Sequence, residues 1–333
     1  MPHACASQGP DLLQLLSRKA SVAVGLSCPS GEAKRFGERV MATAADVRPS
    51  PIAGQWYQRD PGRLARSVDA YLDSARLPDL GGTVVAIMAP HAGHAYSGSV
   101  AGHAFAAVRG SAPDLVAVVG PMHDYHPGML LASGHHAYGT PLGVVPVDQA
   151  ALHHLGARLK AETGRPLTLV RDDSEHSVEI ELPFLQRALR SEFHLLPVMV
   201  RGSRPEVARG LGRALAAVLR DRAGLLVAST DLSHYCARDV ADRLDAEVLR
   251  RVEALDPDGV LRAEDEGTGF ACGAGALVAV LWAARDLAAD QVRILCHATS
   301  ADVTGEYEEV VGYGAAVVFR RASASSGKRG ETR

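Results

Sequence analysis

Three apolar runs in this chain each deliver a histidine: Val84–Ala89 leads through Pro90 to His91, Leu115–Val119 leads to His123, and Leu225–Ser229 leads through Thr230-Asp231 to His234. Short, continuously apolar runs of this kind read as strands buried on both faces. Ligands of open α/β sheets collect beyond the carboxyl ends of such strands. One histidine in that position can be a hydrogen-bonding turn residue. Here three strand ends each present an imidazole, and imidazole binds iron, copper, zinc and nickel; a non-haem iron centre commonly takes two histidines and one anionic ligand on one face. A metal site is therefore the first expectation.

Two further stretches add candidates. In Asp172-Asp173-Ser174-Glu175-His176-Ser177-Val178-Glu179, acids and a histidine precede an apolar helical pattern that runs to about Glu192. A Ser174 N-cap, with acids favoured by the helix dipole, accounts for the carboxylates. It does not account for His176, whose protonated form is disfavoured at that end. A neutral His176, or one paired with a carboxylate, suits an active-site donor or a partner behind a ligand. In Gly267-Thr268-Gly269-Phe270-Ala271-Cys272-Gly273, glycines flank a cysteine that is either a small buried hydrophobe or, with its thiolate favoured at a helix start, a metal ligand or nucleophile. Asp231 can orient an imidazole, bind metal or cap its turn.

The elements that must hold these residues alternate along the chain. Asp60-Pro61 opens a helix to about Ala75, and a second helix is expected from Gly98. Met129–Ala132 and Leu142–Val147 read as strands, with His135 and His136 solvated between them, and Asp148 caps a helix to Thr163. Then come a strand over Phe193–Val200, a helix over Pro205–Leu219, a mixed-charge helix, and a solvated acidic loop from Asp256 to Gly267. An apolar helix over Ala274–Leu287 and strands over Gln291–Ala298 and Val310–Phe319 complete the order. Trp56 and Tyr57 belong either to the core or to a pocket wall. With no long linker or repeat, the pattern predicts one α/β domain over 47–321, a central mixed, largely parallel sheet flanked by helices. Residues 1–46 are expected to form a flexible extension and 322–333 a disordered tail.

Composition narrows the partners. The 333 residues are 47% hydrophobic with a net charge of −3, which supports a substantial core, and without basic runs gives no support to a nucleic-acid or anionic-membrane partner. The five cysteines are scattered without a Cys-x-x-Cys pair, which suits a reducing cytoplasm. No apolar run approaches the roughly 20 residues needed to span a bilayer.

Taken together, Pro90-His91-Ala92-Gly93 with Tyr96-Ser97-Gly98, Gly120-Pro121-x-His123, Glu175-His176-Ser177-x-Glu179 with Leu182-Pro183-Phe184, Asp231-x-x-His234 and Cys272-Gly273 resemble the Memo family in identity, order and spacing. The resemblance extends from Ala53-Gly54-Gln55-Trp56-Tyr57 to Val311-Gly312-Tyr313. It implies the fold of class III extradiol dioxygenases, in which iron sits among two histidines and a glutamate with a further histidine as acid–base catalyst. Carried over by position, His91 and His123 are the imidazole ligands, Cys272 replaces the carboxylate, and His234 is the acid–base residue. His176 and Asp231 join it as catalytic candidates, and Trp56, His94, Tyr96 and Glu175 surround the substrate. The chain departs from the family pattern at His94, where tyrosine is common, so His94 is expected to be an additional ligand or a substrate contact.

The implied cofactor is Fe(II), with Cu as the alternative. The implied reaction is an oxidation of a small-molecule substrate with dioxygen, with a radical S-adenosylmethionine protein as a possible partner by resemblance. A thiolate with two imidazoles equally suits a copper- or iron-binding carrier or a peptide-binding module without turnover. Metal-assisted hydrolysis, with Glu175 or Asp231 activating a water, is a third route.

Overall fold

A computed structural model of the chain describes residues 46–171 and 173–322. Apart from Asp46 and Ala322, the expected extension and tail lie outside the described residues. The strands are β1 (Val47–Arg48), β2 (Gly82–Ala89), β3 (Leu115–Pro121), β4 (Leu130–Ser133), β5 (Ala137–Thr140), β6 (Gly143–Pro146), β7 (Thr168–Val170), β8 (His194–Val200), β9 (Gly224–Ser229), β10 (His234–Cys236), β11 (Gln291–Thr299) and β12 (Val310–Arg321). The helices are α1 (Pro61–Ser74), α2 (His94–Ala106), α3 (Gln149–Thr163), α4 (Leu182–Ala188), α5 (Pro205–Leu219), α6 (Arg238–Glu253), α7 (Pro257–Asp265), α8 (Ala274–Asp286) and α9 (Ala301–Thr304).

The apolar runs that end in histidine form the middle of a mixed sheet. β2, β9, β3 and β8 lie side by side and parallel, while β12 runs antiparallel on β2, β4 antiparallel on β8, and β10 and β11 antiparallel on β12. β1, β5 and β6 form a separate three-stranded sheet. Register sets the site. Ala89 pairs with Ser229 and Ala228 with Val119, so the three strands end level, and the segments that follow emerge next to one another.

Helices cover this sheet. α1, α2 and α4 pack together, with α2 lying on β2 and β12, while α8 lies against β3, β8 and β9 with α5 outside it. α5 buries Val207, Leu211, Leu215 and Val218 at helical spacing, whereas α8 is apolar nearly all round, as a helix enclosed by sheet and helices should be. The Asp60 and Asp148 caps form as expected, accepting from Arg63 N and Ala151 N.

Four elements differ from expectation. The helix expected from Ser174 to Glu192 is confined to a 3-10 turn, Glu179–Glu181, and the short α4, because Ser174 Oγ donates to Asp124 and the acids serve other partners. The acidic loop after Asp256 is helix α7: Asp256 accepts from Gly259 N, Pro257 starts the first turn, and Val260 and Leu261 are buried. α2 begins at His94 rather than Gly98. The strand expected over Leu142–Val147 is present as β6, but it pairs with β5, a strand not expected, to form a hairpin. No described helix is long and apolar enough to cross a membrane.

Candidate metal centre

The turn after β2 is fastened to the turn after β9. Asp231 Oδ1 accepts from His91 N at 2.8 Å and Ala92 N at 3.3 Å, which draws His91 over the end of the neighbouring strand. His91 is buried, with Nδ1 3.0 Å from Ser229 Oγ. Ser229 spends its one hydroxyl proton on Ser177 O at 2.6 Å, so Oγ accepts from Nδ1–H and Nε2 keeps its lone pair. Burial first, and then His123, push the His91 pKa down, which holds the ring neutral.

His123, beyond β3, is oriented by a carboxylate. Glu175 accepts from His123 N at 2.6 Å, and its two oxygens lie 3.0 and 3.1 Å from Nδ1. An ionised carboxylate only accepts, so Nδ1 carries the proton and Nε2 is free. The backbone N–H groups of His176 and Ser177 donate to Glu175 Oε1 as well. Burial works against the Glu175 carboxylate, but the hydrogen bonds from His123 outweigh it and hold the group well below the usual range. Burial likewise opposes a charge on His123, and Glu175 more than offsets it, leaving that pKa raised.

Cys272 completes the group from the turn before α8. Its Sγ lies 3.2 Å from His91 Nε2, and one ligand atom each from His91, His123 and Cys272 lie within 4.8 Å of one another. Small side-chain rotations bring such a spread onto one ion with bonds of about 2.0–2.3 Å. Gly273 permits the approach: a Cβ there would meet Ser229 O at 2.8 Å. The protein around Cys272 does not by itself favour the thiolate expected at the helix start. Burial, with Asp231 adding to it, pushes the thiol up to about 12, and a bound cation would reverse that by deprotonating it.

A cavity of about 910 Å³ opens over these three residues, with Trp56, Tyr96, His176, Asp231 and His234 in its walls. His234 Nδ1 donates to Leu232 O at 2.8 Å, so Nε2 has its lone pair available. His176 stacks on His123 with ring centroids 4.7 Å apart and lies tilted by 41° against Trp56 at 4.0 Å. Burial first, and then His91, push its pKa down to about 3, which favours the neutral ring, while its Nδ1 lies 3.4 Å from Glu175 Oε1. Asp231 is pushed up to about 6 by burial, against the opposing His91 N–H, and its Oδ2 lies 4.0 Å from His91 Nε2. A smaller cavity of about 430 Å³, at the opposite ends of β2 and β9, is lined by no histidine, cysteine or carboxylate.

The family model of the Memo-like protein matches residues 48–317, a span that takes in every residue of this centre. The chain belongs to the Memo family. It is 33% identical over 289 residues to a MEMO1 family protein of Methanopyrus kandleri, covering 82% of this chain and 99% of the relative. It is 34% identical over 286 residues to one of Aeropyrum pernix, covering 80% and 98%. A crystal structure of an uncharacterized Escherichia coli K12 protein aligns with a TM-score of 0.39 and 17% identity, over 69% of this chain and 99% of its own.

Two residues expected around the substrate in this Memo chain lie elsewhere. His94 turns away from the cavity into the core: its Nε2 lies 3.1 Å from Ile180 O, and its ring sits against Tyr57 and Phe184. Burial pushes its pKa down to about 4. Glu175 stands behind His123 and does not line the cavity. Trp56 and Tyr96 do line it, while Tyr57 is buried and donates to Glu179. Sequence reading missed Phe270, Tyr235 and Tyr313 in the wall, and also Arg48, which is buried among Asp173, Glu179 and Glu175 O. Phe270, Tyr235 and Arg48 were signalled only by proximity in sequence to Cys272, His234 and the proline-rich start, and Tyr313 only as the end of the Val311-Gly312-Tyr313 stretch.

Proposed function

We propose that this Memo protein is a metal-dependent oxidoreductase that holds one iron(II) through His91, His123 and Cys272 and acts with dioxygen on a small electron-rich substrate in the adjoining cavity. The observation that carries this reading is the convergence of three donors, two of them imidazoles with their Nδ1 protons already committed, beneath a cavity large enough for a small ligand. Iron(II) bound there would supply a redox centre open to dioxygen and to an electron-rich donor. Glu175 and Ser229 hold the two ligand rings in their binding tautomers. His234 Nε2 takes a proton from the substrate hydroxyl and returns it to the product, while Trp56 and His176 wall the cavity against water. As an acid–base residue His234 should be replaceable without loss of metal: His234→Gln is expected to lower turnover by about 10²- to 10⁴-fold at unchanged metal content. Loss of metal from the folded variant would make His234 a ligand instead.

A second reading, a copper- or iron-binding protein without turnover, draws on the thiol 3.2 Å from His91 Nε2, since a thiolate favours softer ions than a carboxylate does. Anaerobic reconstitution with Fe(II) and with Cu(I), followed by oxygen-uptake measurements against catechols and amino-acid-derived compounds, separates the two. Uptake supports the oxidoreductase, and its absence with either metal supports the carrier. Cys272→Glu is expected to move the preference from Cu(I) toward Fe(II), read by competitive titration with circular dichroism as the folding control. Unchanged affinity for both ions would remove Cys272 from the ligand set.

A further inference from the structure

The wall of the cavity carries a charge pattern that holding a metal does not require. Among the described residues no lysine or arginine lines it, whereas Asp231 lies at its floor and Glu306 and Glu309 line it with exposed side chains. Arg238, whose backbone N–H donates to Tyr307 O on the same rim, is taken up by Asp302 at 2.8 Å and by Asp242 at 3.7 Å. An anionic ligand entering here would meet carboxylates and no guanidinium fork.

The apolar part of the wall points the same way. Tyr96, Tyr235 and Phe270 are 47%, 74% and 38% exposed, and all three line this one cavity with Trp56. Single exposed aromatics are ordinary, but several converging on one opening mark a binding surface. Tyr235 is also held at φ +53°, a conformation that side chains rarely adopt, and it places the ring beside His234 with centroids 5.5 Å apart. Ring faces are electron-rich and attract organic cations, most strongly where carboxylates stand nearby.

We propose that the cavity selects an organic ammonium, with an apolar or aromatic body against Trp56, Tyr235 and Phe270 and its positive charge between those rings and Glu306 and Glu309. The proposal rests on the function above only in naming this ligand as the substrate. The charge preference is carried by the wall, and because a bound cation would offset it, it is read on chelated protein.

Calorimetric titration with two probes of matched size, 2-phenylethylammonium and 3-phenylpropionate, tests it on the full chain both reconstituted with metal and chelated. The ammonium is expected to bind at least about tenfold more tightly to the chelated chain and by a smaller margin to the reconstituted one, with the ratio shrinking as salt screens the exposed carboxylates. In Glu306→Gln/Glu309→Gln the ratio should fall to about threefold or less, with the melting curve as folding control. On the chelated chain, equal or tighter binding of the carboxylate, no binding of either probe, or a preference that survives the double variant overturns the proposal. Failure of the oxidoreductase reading shows separately, as absence of oxygen uptake on reconstitution, and leaves the comparison on chelated protein intact.

Discussion

At the scale of single residues, the centre depends on where each imidazole spends its Nδ1 proton. Ser229, Glu175 and Leu232 O take those of His91, His123 and His234, so that three Nε2 lone pairs remain available. Glu175 has the largest share in this, because it fixes both the backbone and the ring of His123. Glu175→Gln keeps the shape but removes the charge and one of the acceptors, and it should weaken metal binding by about 10- to 100-fold with the fold retained. Competition against a chromophoric chelator reads the change, and an unaltered affinity would mean that His123 is oriented without Glu175. The strand-end histidines were legible in sequence because an apolar run that stops on a polar residue shows where a strand delivers its side chain. His94 was not, because its direction is set by Phe184 and Tyr57 packing against the first turn of α2, a contact that no local pattern encodes.

At the scale of elements, the segment from Asp173 to Glu181 carries the partner of His123 without being a regular helix. Arg48, on β1 of the small sheet, holds it in place: the guanidinium donates to Asp173 Oδ1, Glu175 O and Glu179 Oε2, each at 2.7 Å. Tyr57 and Ser50 donate to the other Glu179 oxygen. Removing one member of a buried ionic network leaves the others uncompensated, so Arg48→Met should cost about 3–5 kcal/mol in urea denaturation. Arg48→Lys should recover only part, since an ammonium cannot reproduce the planar fork. A loss below about 1 kcal/mol would show that the segment is held by its apolar contacts alone. Arg48 was silent in sequence because its partners lie more than 120 residues away. The long helices and central strands were legible from periodicity and caps. α7 was misread because its acids weigh as solvated while Asp256, Pro257 and buried Val260 and Leu261 make a helix of it.

At the scale of the whole molecule, the three proposed ligands come from segments far apart in the chain that the sheet register brings level. An unfolded chain offers no such convergence, so an ion that binds here binds the native state and stabilises it by mass action. At a free metal concentration 100 times Kd the gain is about 2.7 kcal/mol. For a domain of this size that corresponds to a rise in melting temperature of roughly 5 °C. Melting the protein anaerobically with Fe(II), and again after chelation, should show that difference. Cys272→Ser should shrink it, because one of the three donors is replaced by a much poorer one. The variant also supplies the control for unspecific effects: a stabilisation by metal that is equal in wild type and Cys272→Ser would come from binding elsewhere on the surface. A wild-type melting temperature indifferent to saturating Fe(II) and Cu(I) alike would remove the metal centre as the organising feature of this fold.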